Sequence, residues 1–230
     1  MVVTGFYPPS VGQQEAGARF LCRPAPIQSL GAPWALLRIE SPVPVAILRL
    51  RDNDMSITID EKLDFIFGRR SIRVYAPGEV SEAMLTKLLK AAMAAPSAMT
   101  KDPWRFIVVR DTSTLSQMAA ALPGGKMLST AALALLVCGD LEAAFERQLS
   151  FLLQDCSASI ENLLLCAHVL GLGACWVGVH PDETSVRQIR QLCSLPTAVI
   201  PVAVISLGFP GEQPESRTRY NPDYVHFGKW

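Results

Sequence analysis

The chain has 230 residues, of which half are hydrophobic and 18% are charged, and its 21 basic and 21 acidic side chains balance to a net charge of zero. This composition can support a real core and excludes global disorder. The charge balance excludes a nucleic-acid-binding protein that relies on broad electrostatic attraction. Because the chain shows neither an apolar run near the ~18 residues of a membrane span nor a secretory signal, we expect no membrane association.

The six cysteines contain no CxxC pair and no Cys/His spacing suited to zinc. Most lie within apolar stretches, where a free cysteine behaves as a small hydrophobic residue. We therefore expect reduced, mostly buried thiols in a cytoplasmic protein without a metal site. A disulfide framework is the alternative.

The first part of the chain differs from the rest. Residues 1–54 hold seven of the 17 prolines, contain no lysine and have neither helical nor strand periodicity. We expect a poorly ordered N-terminal extension, or an over-called translation start, with an arm that packs on the body as the alternative. An organised domain is expected over 55–230, because Thr58 and Glu61 have the spacing of a capping box and an apolar stripe follows them.

Helices and apolar strands alternate from there on. Helices are predicted at about 60–68, from Ser81 to Ala95, over "TLSQMAAAL", from about Ala143 to Leu170, and over "DETSVRQIRQL". Strands are predicted over "RFIVVRD", "AALALLVCGD", "ACWVGV" and "AVIPVAVISLG", the last of them central. This alternation indicates a layered domain of the α+β or α/β class.

Two short segments concentrate arginine in a chain that is otherwise poor in charge. In "GRRSIRVY", Arg69, Ser71 and Arg73 alternate, so an extended segment would point them to one side and Arg70 to the other. Always-charged guanidinium forks, with a serine hydroxyl, suit the oxygens of a phosphate. A solvated basic turn is the alternative for this stretch alone.

The second segment, "RTRY", repeats the alternating pattern with Arg217 and Arg219 directly after the last predicted strand. Two separated arginine pairs in a protein with few charges are easier to explain if both converge on one anion. The sequence therefore predicts a phosphate-binding site built from both segments.

Five pieces in order carry a resemblance to the FMN-dependent nitroreductase family of the small homodimeric type. They are "RRSIRVY", "AAMAAPSAMTKDPWRFIVV", "KMLSTAALALLVC", "GLGACWVG" and "RTRYNPDYVHFGKW", and together they cover about residues 57–230. The resemblance implies an α+β fold in which helices flank a central mixed sheet. It also implies an obligate dimer with exchanged C-terminal tails and with FMN at the interface.

The resemblance also implies which residues meet the flavin. The ribityl chain, the phosphate or the pyrimidine edge would be contacted by Arg69, Arg70, Ser71 and Arg73. The phosphate would be held by Arg217 and Arg219. The other subunit would contribute Pro96, Ser97 and Ala98. The face or edge of the isoalloxazine ring would be lined by Trp176, Val177 and Gly178, whose backbone N–H groups would lie near N5 and O4. Lys126 is a further implied contact.

This chain departs from the family pattern where the family often has Asn and Gln. Thr100 stands in the first position and can donate one hydrogen bond, so it is kept as a candidate contact. Asp102 stands in the second position; when ionised it only accepts hydrogen bonds, so it is left out of the site.

The activity that the resemblance implies is NAD(P)H-dependent reduction of nitroaromatic, quinone or related acceptors by ping-pong hydride transfer through flavin N5. No protein side chain is then required as a catalytic residue, because a flavin carries the redox chemistry itself. The alternatives are a flavin-storage or sensor module and another reaction of the same superfamily, such as reductive dehalogenation or flavin breakdown.

Overall fold

The computed structural model describes residues 59–230, apart from the side chains of residues 60 and 61. The capping box of Thr58 with Glu61 and the expected N-terminal extension over 1–54 lie outside the described residues. In the part that is described, the domain contains five α-helices: α1 (Ile59–Phe67), α2 (Glu82–Met93), α3 (Thr112–Ala121), α4 (Leu149–Val169) and α5 (Glu183–Leu192). The same residues contain five strands: β1 (Tyr75–Ala76), β2 (Trp104–Val109), β3 (Leu133–Asp140), β4 (Gly173–Gly178) and β5 (Val199–Pro210).

Three of the helices begin at capping side chains that the sequence places one residue before the helix. The Ser81 hydroxyl accepts a hydrogen bond from the Met84 amide, and the carboxylates of Asp111 and Asp182 accept from the amides of residues 114 and 185. These bonds hold the pKa of both aspartates below the ordinary value. Their stabilising contribution is therefore present at neutral pH and is lost as acid protonates them.

The start of the long helix was predicted too early. The expected helix from about Ala143 instead begins at Leu149, and residues 145–147 form a 3₁₀ turn. Glu146 and Arg147 both have φ of 53°, in the left-handed region that an α-helix cannot pass through. An ion pair of 3.1 Å between Arg147 Nε and the Glu142 carboxylate accompanies this turn.

The sheet places β5 at its centre, as predicted. The order is β1-β5-β3-β2, and β4 also pairs with β5. Every pair of named strands is antiparallel, and the parallel element within the described residues is an isolated bridge between Ser71 and Ala174. The α+β class is therefore confirmed, with helices on both faces of the sheet.

The two faces of the sheet carry separate apolar clusters. Alternate residues of β3 point to opposite sides: Leu135 packs with α2 and α4, and Leu136 packs with α3 and α5. Seven residues of β3 are buried, which explains why its sequence is a continuous apolar run.

The five described cysteines are free, and no helix of residues 59–230 is long and apolar enough to cross a membrane.

Because residues 72–207 supply buried side chains on both faces of the sheet, we propose that the organised domain folds without residues 1–54. Deleting that segment is expected to change the free energy of unfolding by less than about 2 kcal/mol. We use this threshold because a loss of that size is a large fraction of the stability of a typical domain. Chemical denaturation of the full and truncated chains measures the difference. A larger loss would show that the N-terminal segment is part of the fold.

Candidate functional site

The arginine-rich segment between α1 and β1 is fixed to the sheet through its apolar members. The Ile72 amide donates to the carbonyl of Ala174 at 3.0 Å, and the Ile72 side chain is buried. A Cβ placed on Gly173 would lie 2.7 Å from Ile72 Cγ2, so this close packing requires glycine at position 173. Gly173 thus lets the segment that carries the arginines pack closely against β4.

Tyr75 fixes the other end of the same segment. Its hydroxyl lies 2.6 Å from Ser206 Oγ and donates to the Ile72 carbonyl at 2.9 Å. Burial raises the pKa of Tyr75 well above its ordinary value, so the hydroxyl stays protonated and remains a donor. Gly208 of β5 leaves room for the ring, because a Cβ there would lie 2.8 Å from Tyr75 Cδ1.

The two arginine segments converge on one cavity of about 790 Å³. Its walls come from the end of α1, from the segment after it and from the chain beyond β5. Both predicted arginine pairs contribute, and the lining is Ile66, Phe67, Arg69, Arg70, Ser71, Arg73, Glu212, Pro214, Arg217, Thr218, Arg219 and Tyr220. Five guanidinium groups and two hydroxyl-bearing side chains other than tyrosine form a donor set suited to a phosphate.

Arg70 does not follow the predicted alternation, because it lines the same cavity as Arg69, Ser71 and Arg73. The reason is that residues 69–74 form no regular strand, apart from the single bridge at Ser71. Its Nη1 donates to the Glu215 carbonyl at 2.8 Å. Arg69 Nε lies 3.4 Å from Glu161 Oε1, an ion pair to α4 with a half-exposed carboxylate.

The Pro96–Thr100 loop does not line this cavity. It follows α2 and includes left-handed backbone at Met99 and Thr100, with φ of 51° and 52°. Thr100 is exposed and its hydroxyl donates to the Met99 carbonyl at 2.7 Å. Asp102, which the sequence does not favour as a flavin contact, accepts a hydrogen bond from the Ser97 hydroxyl at 2.5 Å and so fixes the loop.

Asp155 of α4 supports the same loop, and the sequence did not single it out. It is 5% exposed, and its Oδ1 accepts from the Ala98 amide at 2.9 Å. Its Oδ2 has no hydrogen-bond partner within the described residues, nor has the hydroxyl of Ser159 one turn later. A carboxylate within an apolar helix could have indicated a special role for Asp155. The sequence could not identify its partner, because the amide that it binds lies 57 residues away.

The remaining candidates are not among the residues that line the cavity. Along β4, Trp176 and Gly178 are exposed and Val177 between them is buried. A Cβ on Gly178 would meet nothing within 4 Å, so the backbone there borders open space. Lys126 is exposed at the start of a 3₁₀ turn before β3. The single chain thus brings the arginine groups to one cavity, whose lining does not include the loop, Lys126 or the exposed positions of β4.

Two further residues, Cys175 and Glu212, lie beside the candidate contacts or in the cavity wall. Cys175, beside Trp176, is buried, and this burial raises the pKa of its thiol, which argues against a reactive thiolate. Glu212 lies in the cavity wall and accepts hydrogen bonds from the amides of residues 73 and 74. An acidic residue in a turn rich in glycine and proline gave no signal that it would bind a backbone 139 residues away. Residues 59–230 contain no cluster of His, Cys, Asp and Glu that could hold a metal ion.

The packing of Gly173 gives a stability prediction. Gly173→Ala is expected to lower the free energy of unfolding by about 1–3 kcal/mol, because the added methyl meets the branched, buried Ile72. Gly178→Ala, on the same strand but facing open space, is the matched control and is expected to change stability far less. Urea denaturation measures both variants, and equal losses would contradict the packing argument.

The comparisons with known proteins agree with this architecture. The model of the nitroreductase family matches residues 66–137 and 119–209. A protein of Methanothermobacter thermautotrophicus, provisionally named NADH dehydrogenase/NAD(P)H nitroreductase, is 45% identical over 77% of this chain and 92% of its own length.

Two crystal structures show the same fold. A protein of Parabacteroides distasonis with the same provisional name has 36% identity and a TM-score of 0.70, over 74% of this chain and 99% of its own. A provisionally named nitroreductase of Desulfovibrio desulfuricans, solved in complex with FMN, has 31% identity and a TM-score of 0.64, over 73% of this chain and 96% of its own. With this family match, these identities and the shared fold, the chain belongs to the nitroreductase family.

Proposed function

We propose that this protein is an FMN-dependent oxidoreductase that uses NAD(P)H to reduce nitroaromatic, quinone or related acceptors in a ping-pong reaction. The observation that carries the proposal is the convergence of Arg69, Arg70, Arg73, Arg217 and Arg219 on one cavity. The names of relatives in the family, which include NAD(P)H nitroreductases and an FMN reductase, support the reaction class.

The donor set of the cavity fits a flavin mononucleotide better than an uncharged ligand. A phosphate monoester carries nearly two negative charges, and guanidinium groups bind such an anion with short, charge-assisted hydrogen bonds. In this assignment Arg217 and Arg219 hold the phosphate. Arg69, Arg70, Ser71 and Arg73 bind the phosphate, the ribityl chain or the pyrimidine edge, and the volume of about 790 Å³ leaves room for more than a phosphate.

The ring is assigned to the surface along β4. Its exposed positions, Trp176 and Gly178, flank the buried Val177, and the open space at Gly178 lets a planar group approach the backbone. Pro96, Ser97, Ala98 and Thr100 are assigned to the flavin bound by the partner subunit, since they do not line the arginine cavity of their own chain. Lys126 is retained as an additional contact.

Bound FMN would supply the redox chemistry, taking hydride from NAD(P)H and passing it to the acceptor. The residues of this chain bind and orient the cofactor and leave one face accessible, so that donor and acceptor use it in turn. No side chain is assigned a proton-transfer or nucleophilic role, since Cys175 is buried with a raised pKa and Tyr75 is fixed as a hydrogen-bond donor.

We also propose a cytoplasmic homodimer with exchanged C-terminal tails. The tail after β5 exposes Tyr220, Tyr224, Phe227 and Trp230, the last two at 93% and 100%. A second apolar surface, on α1 and the end of α4, exposes Phe65 and Val169. Large exposed aromatic side chains at this density are typical of surfaces that another chain covers.

The purified protein is expected to be yellow, with one FMN per protomer released on denaturation. Anaerobic NAD(P)H should bleach the visible absorbance, and addition of a nitroarene or quinone should restore it in a separate step. A colourless protein that takes up no added FMN would overturn the proposal. Bound flavin that NAD(P)H does not reduce would indicate the storage or sensor alternative instead.

A further inference from the structure

Among the described residues, the wall of the arginine cavity contains one carboxylate, that of Glu212, beside five arginines. A negative charge at this place repels the phosphate that the arginines attract, so electrostatics alone would disfavour it. Its presence therefore requires a separate physical reason.

The hydrogen bonds of Glu212 supply that reason. Oε1 accepts from the backbone amides of Arg73 at 2.5 Å and Val74 at 3.1 Å. Within residues 59–230 the carboxylate forms no ion pair, and neither do Arg73, Arg217 and Arg219. The charge of Glu212 thus satisfies two backbone donors and leaves these three guanidinium groups available to a ligand.

Two neighbouring bonds strengthen the same junction. The Gly211 amide donates to the Val74 carbonyl at 2.8 Å, and Arg70 Nη1 donates to the Glu215 carbonyl at 2.8 Å. The junction therefore ties residues 211–215 to residues 70–74. The chain that follows, with both later arginines, is exposed and has no helix or strand before residue 222.

Resting on the proposed function, we propose that Glu212 is a positioning residue that assembles the phosphate site by holding the two arginine segments together. Its hydrogen bonds favour FMN binding because they hold the segment that carries Arg217 and Arg219 at the cavity that Arg69 and Arg73 line. Its charge opposes binding through repulsion. The two contributions have opposite signs, and two substitutions separate them.

Glu212→Gln keeps an oxygen that can accept from both amides and removes the charge, whereas Glu212→Ala removes both. FMN dissociation constants are measured by flavin fluorescence quenching at fixed ionic strength, with melting temperatures to confirm folding. The Gln variant is expected to bind FMN as tightly as the wild type or more tightly. The Ala variant is expected to bind about ten-fold more weakly, which corresponds to loss of one charge-assisted hydrogen bond.

Glu215→Ala is the matched control. It removes an acidic side chain from the same segment, but Arg70 binds the carbonyl of residue 215, which the substitution retains. This variant is expected to bind FMN no more weakly than the wild type. A loss equal to that of Glu212→Ala would show that acidity of the segment, rather than the junction, supports binding and would overturn the proposal.

Backbone hydrogen exchange in the apoprotein tests the junction without the cofactor. The amides of Arg73 and Val74 are expected to exchange faster in Glu212→Ala and to remain protected in Glu212→Gln. Unchanged FMN affinity in Glu212→Ala, or an equal loss in both Glu212 variants, would overturn the positioning role. If the wild type binds no FMN but exchange at these amides depends on Glu212, the junction stands and the proposed function fails.

Discussion

Replacing Arg219 or Arg69 with alanine is expected to weaken FMN binding by about ten- to a hundred-fold for each substitution. A charge-assisted hydrogen bond to phosphate contributes on the order of 1.5–3 kcal/mol, which corresponds to that range. Arg69 also pairs with Glu161 of α4 at 3.4 Å, so part of its loss will come from a less ordered segment. Isothermal titration of apoprotein with FMN measures both constants.

The matched control is Arg187→Ala, which removes an exposed arginine from α5, outside the cavity. It is expected to leave FMN affinity unchanged within error. The two cavity variants should also show a smaller dependence of affinity on salt, because each has lost one cationic contact. Unaltered FMN affinity in both cavity variants would mean that the arginines serve another purpose.

Leu152→Ala is expected to lower the free energy of unfolding by about 2–5 kcal/mol. The side chain is fully buried beneath the sheet, and it fills the space that a Cβ on Gly139 of β3 would occupy, with Leu152 Cγ 2.3 Å from that position. Its removal leaves a cavity between α4 and β3, because packed interiors relax only partly. Guanidinium denaturation with a fitted m-value gives the loss.

Leu149→Ala provides the comparison within the same helix. Leu149 is 38% exposed at the first position of α4, so its truncation removes less buried surface and leaves no enclosed cavity. We expect a loss well below that of Leu152→Ala. Similar losses for the two variants would contradict the burial of Leu152 and the exposure of Leu149 in the structure.

The local elements of the fold could be predicted because they depend on neighbouring residues. Ser81 and Asp182 stand at the starts of two predicted helices, and the apolar run of β3 marks a strand buried on both faces. Asp111, which the prediction assigned to a strand, instead caps α3. The start of α4 could not be predicted in the same way. Nothing in the residue types of Glu146 and Arg147 requires positive φ, which tertiary context imposes there.

The candidate site likewise has one part that local sequence indicates and another part that depends on contacts between distant residues. The arginine segments were predictable, because the density of one charge in a chain poor in charge is visible in the sequence itself. Their common cavity was a hypothesis, and the geometry now supports it through Glu212 and Glu215, whose partners lie 139 and 145 residues away. Such pairings depend on the register of β1 with β5, where Tyr75 faces Pro210, and no local pattern encodes that register.

The pairing of β1 with the far end of β5 has a consequence for the order of synthesis. Residues 69–74 leave the ribosome well before the strand that positions them and before the two arginines beyond that strand. Contacts of this sequence separation close late. A nascent chain can therefore form most of the described helices while it is still tethered, but it cannot present the complete arginine cavity until residues 217–219 have emerged. Cofactor capture at this cavity is then expected to follow the emergence of those arginines, and chains truncated before residue 217 are expected to be released without it.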